Sequence, residues 1–486
     1  MRALPILAGL ALLAACGGDG RAPDGDAKPN VVFISVDTVR ADRTTPYGYP
    51  RDTTPALARM ATEGTLFERA YAMSSWTLPS MSMLVTGEMK PLADQAVLPS
   101  HEPIAATLKA VGYRTGAFIS NALLTPDYGY DRGVDRFAVV PPDPNVYWPS
   151  SKVFRDGIDW VEETDEDGSP FFLWLHPTDP HWPYSPEGGV EFEGAVIGIP
   201  GRAEATRSLE QSHAAGVEET DPAQLTGAAW RRIEHNRAKY DSEVLQFDRE
   251  LQRLIAWLEE RDELDSTIIV VTSDHGEGLW QRAINPDQRK LNPIFAPLYD
   301  SHGAQLYEEQ VRVPLVFRGP GVPSGVRVAE PVDLVDVVPS ILSLANARIT
   351  RTYDGEPLFE NGEAIAPSQD PIVAVCSRSR SITVDGRWRL HEPRPHRMKH
   401  RAVDVRLYDL DNDPLELSPI DDPDRIAELQ ARLQEWHDEH APDGTGDLEI
   451  SEERWRLLFS LGYGGEAEHV KAMKESLEEK AQAEKR

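Results

Sequence analysis

Five separated segments carry residue types that bind metals, attack esters or move protons. The first is Val36-Asp37-Thr38, directly after the apolar run Val31-Val32-Phe33-Ile34. A carboxylate at the end of a buried strand is placed to hold a hard or borderline cation, although an aspartate in a loop is more commonly a turn former. The second is Ser75-Trp76-Thr77-Leu78-Pro79-Ser80-Met81-Ser82-Met83-Leu84-Val85-Thr86-Gly87. Pro79 suits a first helical turn and Gly87 a helix end, which puts Thr77 at the helix N-terminus. Unpaired N–H groups and the helix dipole there favour an anionic oxygen and a tetrahedral anion, as an alkoxide attacking a phosphate or sulfate ester requires. A plain threonine cap would produce the same pattern. The third is Ser273-Asp274-His275-Gly276-Glu277, after Val270-Val271. Neighbouring side chains on a strand face opposite ways, so Asp274 and His275 share one metal only if the chain turns, which Gly276 permits. Asp with His is a common zinc or manganese pair. The fourth is His176-Pro177-Thr178-Asp179-Pro180-His181-Trp182-Pro183-Tyr184, where two prolines frame an imidazole. The fifth is His302-Gly303, ahead of Leu306-Tyr307-Glu308-Glu309. A lone histidine of this kind is usually structural.

The elements that must position these groups follow from the apolar pattern. Strands are expected at Val31–Ile34, Tyr113–Ile119, Phe171–Leu175, Thr267–Val271 and Val313–Phe317. Helical stretches lie between them: one opens at Thr54-Pro55 and stops at Gly64, and a long one runs from Trp230 to Arg261. This alternation predicts an α/β fold with a mainly parallel central sheet and helices on both faces. Ligands bind beyond the carboxyl ends of such strands, and the candidate chemistry falls there repeatedly. From about Arg351 the pattern changes. Ser381–Val384, the Asp385-Gly386 pair and Arg387–Leu390 read as a hairpin, and Asp424–His440 as an amphipathic helix, so a smaller C-terminal α+β part is expected. Residues 185–225, rich in Gly, Glu and Pro, read as a long loop or insertion.

The chain has 486 residues, enough for a large core, and a net charge of −30, the wrong sign for binding a nucleic-acid backbone. Its two cysteines give no disulfide framework. Cys376 follows the apolar run Ile372–Val375 and reads as a buried small hydrophobe. Cys16 differs. A basic Met1-Arg2 start, an apolar run from Ala3 to Ala15 and then Cys16-Gly17-Gly18-Asp19 describe a secretory signal. Leu13-Ala14-Ala15-Cys16 resembles a bacterial lipobox, which implies cleavage before Cys16, lipidation of its thiol and a membrane anchor.

Taken together and in order, the motifs resemble the sulfatase branch of the alkaline phosphatase superfamily, from about Asn30 to Leu344. The resemblance rests on the strand ending in Asp37, Leu84-Val85-Thr86-Gly87, Pro180-His181-Trp182-Pro183, Ser273–Glu277, Arg312–Leu315 and the late Leu407-Tyr408-Asp409-Leu410-Asp411-Asn412-Asp413-Pro414. It implies an alkaline phosphatase-like fold and a divalent metal (Zn, Mn or Ca, one or two ions) held by Asp37, Thr77, Asp274 and His275. His181 and His302 would contact the substrate or a second metal, with Asp179 as a further participant. The organisation expected is a signal peptide at 1–15, a lipid-anchored tether at 16–29 and a catalytic domain at 30–350. A C-terminal subdomain at 351–445 and a charged tail at 446–486 complete it.

Three departures matter. The nucleophile position of true sulfatases, a Cys or Ser oxidised to formylglycine, holds Thr77, which lacks the primary Cβ that becomes the aldehyde. Their motif arginine is Met81, and a sulfate-clamping Lys and His fall at Ser120 and Ala122. These changes resemble the threonine-nucleophile branch, which includes nucleotide pyrophosphatases/phosphodiesterases, lipoteichoic acid synthases and phosphoethanolamine transferases. There the threonine attacks phosphorus, and Asn121 could hydrogen-bond a non-bridging oxygen as an Asn does in some phosphodiesterases. The expected function is a metal-dependent hydrolase of phosphate or sulfate esters, with Thr77 as nucleophile and His181 or His302 protonating the leaving alcohol. Its substrate would be a small-molecule, lipid or glycan ester at the cell envelope. The alternatives are a phosphoglycerol- or phosphoethanolamine-type transferase and a non-catalytic envelope glycan-binding protein.

Overall fold

A computed structural model describes residues 28–89, 97, 101–141, 148–165, 168–192, 201–214, 221–283, 298–347, 351–366, 371–376, 379–393 and 405–440. The expected signal peptide, Cys16 and the charged tail lie outside the described residues. Among those described, no helix is long and apolar enough to cross a membrane.

The main sheet is built from β1 (Asn30–Val36), β2 (Thr65–Tyr71), β3 (Arg114–Ile119), β4 (Arg136–Val139), β5 (Phe171–His176), β6 (Thr267–Ser273), β7 (Arg312–Val313), β8 (Leu315–Arg318) and β9 (Val326–Asp333). Their order is β4-β3-β5-β1-β6-β8-β2-β7, with β9 beside β2. The five strands from β4 to β6 are parallel. β8 runs antiparallel to β6 and β2, β7 antiparallel to β2, and β9 parallel to β2. The expected strand Val313–Phe317 is thus two strands, divided at Pro314, which has no N–H to give to a ladder.

The parallel strands bury both faces, and successive residues alternate between two cores. Val31, Phe33, Phe172, Trp174, Ile268 and Val270 enter one. Val32, Ile34, Leu173, Leu175, Ile269 and Val271 enter the other. The first face is covered by α2 (Thr77–Thr86), α3 (Ile104–Ala110) and α8 (Val337–Leu344); the second by α1 (Pro55–Glu63), α4 (Ser150–Thr164) and α6 (Gly227–Glu260). Helix α6 starts three residues before the expected Trp230, where the Thr226 side chain accepts from the Ala229 N–H. The stretch expected to be a long loop contains α5 (Arg202–Ala214), which buries Ala205 and Leu209 in the second core. Two buried residues in thirteen leave little apolar periodicity to read.

A short α7 (Glu308–Val311) precedes β7. Beyond the main sheet, β10 (Phe359–Glu360) pairs with β11 (Glu363–Ala364), and Leu358 and Phe359 pack in the first core. A separate antiparallel sheet follows: β12 (Ile372–Val375), β13 (Ser379–Val384), β14 (Trp388–Pro393) and β15 (Arg406–Asp409), in that order. Asp385 and Gly386 both take left-handed backbone in the β13–β14 turn, as a tight Asp-Gly hairpin requires. Helix α9 (Pro423–Glu439) buries Leu429 and Leu433 against Val373, Ile382, Leu390 and Leu407. The buried Glu416 ties this unit to the main body. It accepts from the Glu308 N–H at 2.7 Å, meets His391 Nε2 at 2.6 Å and lies 3.7 Å from Arg389.

Candidate active site

Parallel pairing gathers the chemistry at one edge. Val36 at the end of β1 is in register with Ser273 at the end of β6, and Ile119 of β3 with His176 of β5. Asp37, Asp274 with His275, and Ser120 with Asn121 therefore leave the sheet side by side. Helix α2 points its first turn at the same place. Its N-cap residue, Trp76, gives no side-chain cap, and Thr77 is the first helical residue. Thr77 Oγ1 lies 3.2 Å from His275 Nε2. Gly87 closes the helix in left-handed backbone, its N–H donating to Met83 O at 2.8 Å.

Asp37, Asp274 and His275 are fully buried, and each offers a ligand atom within 4.8 Å of the other two. His275 Nε2 is 3.8 Å from Asp37 Oδ1 and 3.4 Å from Asp274 Oδ2. Gly276 is required here by close approach: a Cβ on it would sit 2.2 Å from Glu309 O. Asp274 Oδ1 accepts from the N–H groups of Thr38 and His275, at 3.2 and 2.8 Å. Thr38 adopts φ 60°, an outlier for a β-branched residue, next to the presumed ligand Asp37. His275 Nδ1–H donates to Gly276 O at 2.8 Å, which leaves the Nε2 lone pair facing the carboxylates.

The electrostatics fit a cation. Burial, and then the neighbouring Asp274, push the Asp37 carboxyl above its ordinary value. Burial pushes Asp274 up to about 7 and His275 down to about 3. Asp274 Oδ2 is buried without a hydrogen-bond partner. Two buried carboxylates and an imidazole lone pair converging in a buried site are a donor set that could hold a divalent metal.

Around these ligands the structure places the other expected residues. Asn121 donates from Nδ2 to Asp37 Oδ2 at 2.7 Å, while its Oδ1 accepts from Leu123 N at 2.9 Å. It holds Asp37 from behind. The His302 ring centroid lies 4.5 Å from that of His275 and 5.1 Å from that of His181. His181 Nδ1 meets Trp182 O at 2.6 Å. Asp179 is turned to the start of α4, where it accepts from the Ser150 N–H at 2.8 Å and from the Ser150 hydroxyl. Of the expected set, Asp37, Thr77, Asp274, His275, His302 and His181 stand together, Asn121 supports them, and Asp179 anchors a helix. Met81 is buried in the first core, and the Ser120 hydroxyl pairs with Thr178 at 2.8 Å, so neither supplies a cation.

Two participants lay inside quoted motifs without a role. Glu277 is fully buried, with Oε1 3.2 Å from His302 Nδ1. Burial pushes Glu277 up to about 8 and His302 down to about 3, and so favours an uncharged pair. A protonated Glu277 donates to Nδ1 and leaves the His302 proton on Nε2. His176 is the second. Its Nδ1 lies 2.9 Å from Ser35 Oγ, which accepts from Trp174 Nε1 at 2.9 Å, and its Nε2 lies 3.9 Å from Asp37 Oδ2. Each residue stands at or just beyond a strand end in the register that brings Asp37 and Asp274 together, and that position was the only available signal.

Comparison with known proteins bears on the family and the fold. Residues 29–347 match the family model described as Sulfatase. An ulvan-active sulfatase of Formosa agariphila is 24% identical over 379 residues, which are 69% of this chain and 65% of that protein. A protein solved in complex with its substrate D-glucosamine-2-N,6-O-disulfate superposes with a TM-score of 0.66 at 19% identity, covering 87% of this chain and 100% of that one. The phosphonate monoester hydrolase of Agrobacterium radiobacter superposes with a TM-score of 0.63 at 18% identity, covering 88% and 99%.

Proposed function

This chain belongs to the sulfatase family, and we propose that within it the protein is a metal-dependent ester hydrolase with Thr77 as nucleophile, preferring phosphoesters to sulfate esters. The observation that carries this reading is a buried threonine hydroxyl at a helix start, 3.2 Å from His275 Nε2 and beside two buried carboxylates. A threonine has no primary Cβ to become the sulfatase aldehyde, so its own oxygen is the available nucleophile. A divalent metal held by Asp37, Asp274, His275 and the Thr77 oxygen would lower the hydroxyl pKa and offset charge on the transferred group. The imidazole in the donor set favours zinc or manganese over calcium, which takes oxygen ligands.

The chain's own residues do the rest. Helix α2 aims its unpaired N–H groups at the transferred group. With its proton released to solvent beforehand, the Thr77 oxygen bonds to phosphorus as the ester oxygen leaves and takes a proton from His302 Nε2, while Glu277 passes its own proton to His302 Nδ1. Water then attacks the phospho-threonine and gives a proton to His302 Nε2, the Nδ1 proton returns to Glu277, and the Thr77 oxygen leaves phosphorus unprotonated, as it began. The groups that favour the Asp37 carboxylate are imidazoles, His181, His275 and His302, rather than lysines or arginines. With a divalent metal offset by Asp37 and Asp274, little positive charge remains, which suits a singly charged phosphodiester better than a dianionic monoester. The lipobox-like Leu13–Cys16 supports placement at the envelope on a lipid anchor, where lipid or glycan esters are at hand.

The rival reading is sulfate-ester hydrolysis, favoured by the ulvan-active sulfatase relative. Purified protein supplied with zinc or manganese would be assayed on p-nitrophenyl sulfate, p-nitrophenyl phosphate and bis-p-nitrophenyl phosphate. The expected order is diester, then monoester, then sulfate; sulfate turned over fastest overturns the preference. Transfer to an added alcohol in place of water would identify a transferase.

A further inference from the structure

Trp182 sits between two groups of the site and a rigid aromatic wall. It follows His181 directly, and its carbonyl meets His181 Nδ1 at 2.6 Å. Its indole rests edge-to-face on Tyr184 at 5.1 Å and on Trp280 at 6.2 Å between ring centroids. Both supporting rings are buried; Trp280 is fully so, and its backbone is held in the left-handed region at φ 58°. Trp182 itself is only half-buried. A large, apolar ring is therefore braced by two buried aromatic side chains, partly exposed, and set beside an imidazole that reaches His302.

Two more half-buried indoles stand near the same centre. Trp76 directly precedes Thr77 and lies under the His302–Gly303 turn, where a Cβ on Gly303 would come within 3.6–3.9 Å of it. Trp148 packs against the pair Ala122 and Val140, of which Ala122 follows the Asn121 that holds Asp37. The reacting groups beneath are buried: Asp37, Thr77, Asp274 and His275 are inaccessible, whereas His181, Trp182, His302, Gly303 and Trp76 are partly exposed. The entrance thus offers aromatic faces, with Lys152 Nζ over the Trp148 ring at 4.5 Å.

We infer that Trp182 is a specificity-determining platform for a ring-bearing ester, whose flat apolar face, aryl or pyranosyl, stacks on the indole while the anionic group reaches Thr77. This rests on the ester-hydrolase reading for the anionic end only. The platform itself concerns the group attached to the ester. Rings presenting an apolar face are selected over small alkyl groups, and both possible sources share that face.

The test uses the full chain and p-nitrophenyl phosphodiesters that share one leaving group and differ in the second ester: methyl, phenyl, or glucose joined through its 6-oxygen. The expected result is a lower KM for the ring-bearing esters. Trp182→Ala should reduce the ring-to-methyl ratio of kcat/KM by about tenfold, mostly through KM. Trp182→Phe, which keeps a flat face, should restore most of it. A glucose advantage above the phenyl one assigns the platform to sugars, and the reverse assigns it to aryl groups. A ratio unchanged in Trp182→Ala, with kcat falling equally for all three esters, would reduce the residue to a support for His181 and overturn the inference. Should phosphodiesters not be turned over at all, the hydrolase reading fails separately. Calorimetric binding of phenylphosphonate and methylphosphonate to the wild type and Trp182→Ala then decides the platform. A phenyl advantage lost in the variant supports it, and equal binding of both probes by the wild type refutes it.

Discussion

Replacing Asp274 with asparagine is expected to stabilise the metal-free protein while removing most of the stability that metal confers. The sign follows from the buried carboxyl. Its folded value is about 7 against an ordinary 3.8, so between those limits the folded protein binds more protons than the unfolded one. Stability of the metal-free form therefore falls as pH rises from about 4 to about 7 and is level above that. A shift of about three units sets a ceiling of roughly 4 kcal/mol on the cost of the ionised carboxylate at pH 8. Asparagine keeps the shape. Its Oδ1 still accepts from the N–H groups of Thr38 and His275, and its Nδ2 can donate to His275 Nε2, which now faces Asp274 Oδ2 at 3.4 Å. Metal is expected to have the opposite effect on the wild type, adding about 2.7 kcal/mol at a concentration one hundred times Kd. The assay is urea unfolding at pH 8, with chelator and with zinc, for both proteins. The variant should be the more stable of the two in chelator and should gain little from zinc. A variant that is less stable in chelator and gains as much as wild type from zinc would refute the reasoning, since Asp274 would then be neither a strained buried charge nor a ligand.

Three further outcomes follow from the same geometry. Asn121→Ala removes the donor that holds Asp37 Oδ2 and should weaken metal affinity by about 10- to 100-fold, read by competition with a chelating dye. Glu277→Gln retains the size of the side chain but cannot exchange a proton with His302, so kcat should fall by about a hundredfold or more with no loss of melting temperature. Asp179→Ala should cost about 1 kcal/mol of stability through the start of α4 and change KM little; a large rise in KM with unchanged stability would return this residue to the substrate.

Much of this was legible in the chain because the parallel strands are buried on both faces. Val31–Ile34, Phe171–Leu175 and Thr267–Val271 read as apolar runs, and their carboxyl ends pointed to Asp37, His176 and Asp274 without knowledge of strand order. The Asp385-Gly386 turn was equally plain, because few sequences fit its backbone. What stayed hidden depended on distant partners. Nothing local distinguishes an Asn121 that touches substrate from one that holds Asp37, since the difference is a 2.7 Å contact across 84 positions. Asp179 lies in a motif-rich loop, and its hydrogen bonds to Ser150 depend on how that loop meets α4. Helix α5 shows the same limit at the level of fold: with only Ala205 and Leu209 buried, tertiary contact defines it more than its own pattern does.

The central claim is that the Thr77 oxygen forms a covalent bond to the transferred group. The most direct measurement is acid quenching of the metal-loaded protein during turnover of bis-p-nitrophenyl phosphate, followed by mass spectrometry of the peptide containing residue 77. The account predicts an unmodified threonine at rest, a phosphoester adduct on Thr77 during turnover, and neither adduct nor turnover in Thr77→Ala, which should still bind metal through Asp37, Asp274 and His275. Turnover by Thr77→Ala at the wild-type rate, or an adduct on another residue, would contradict it.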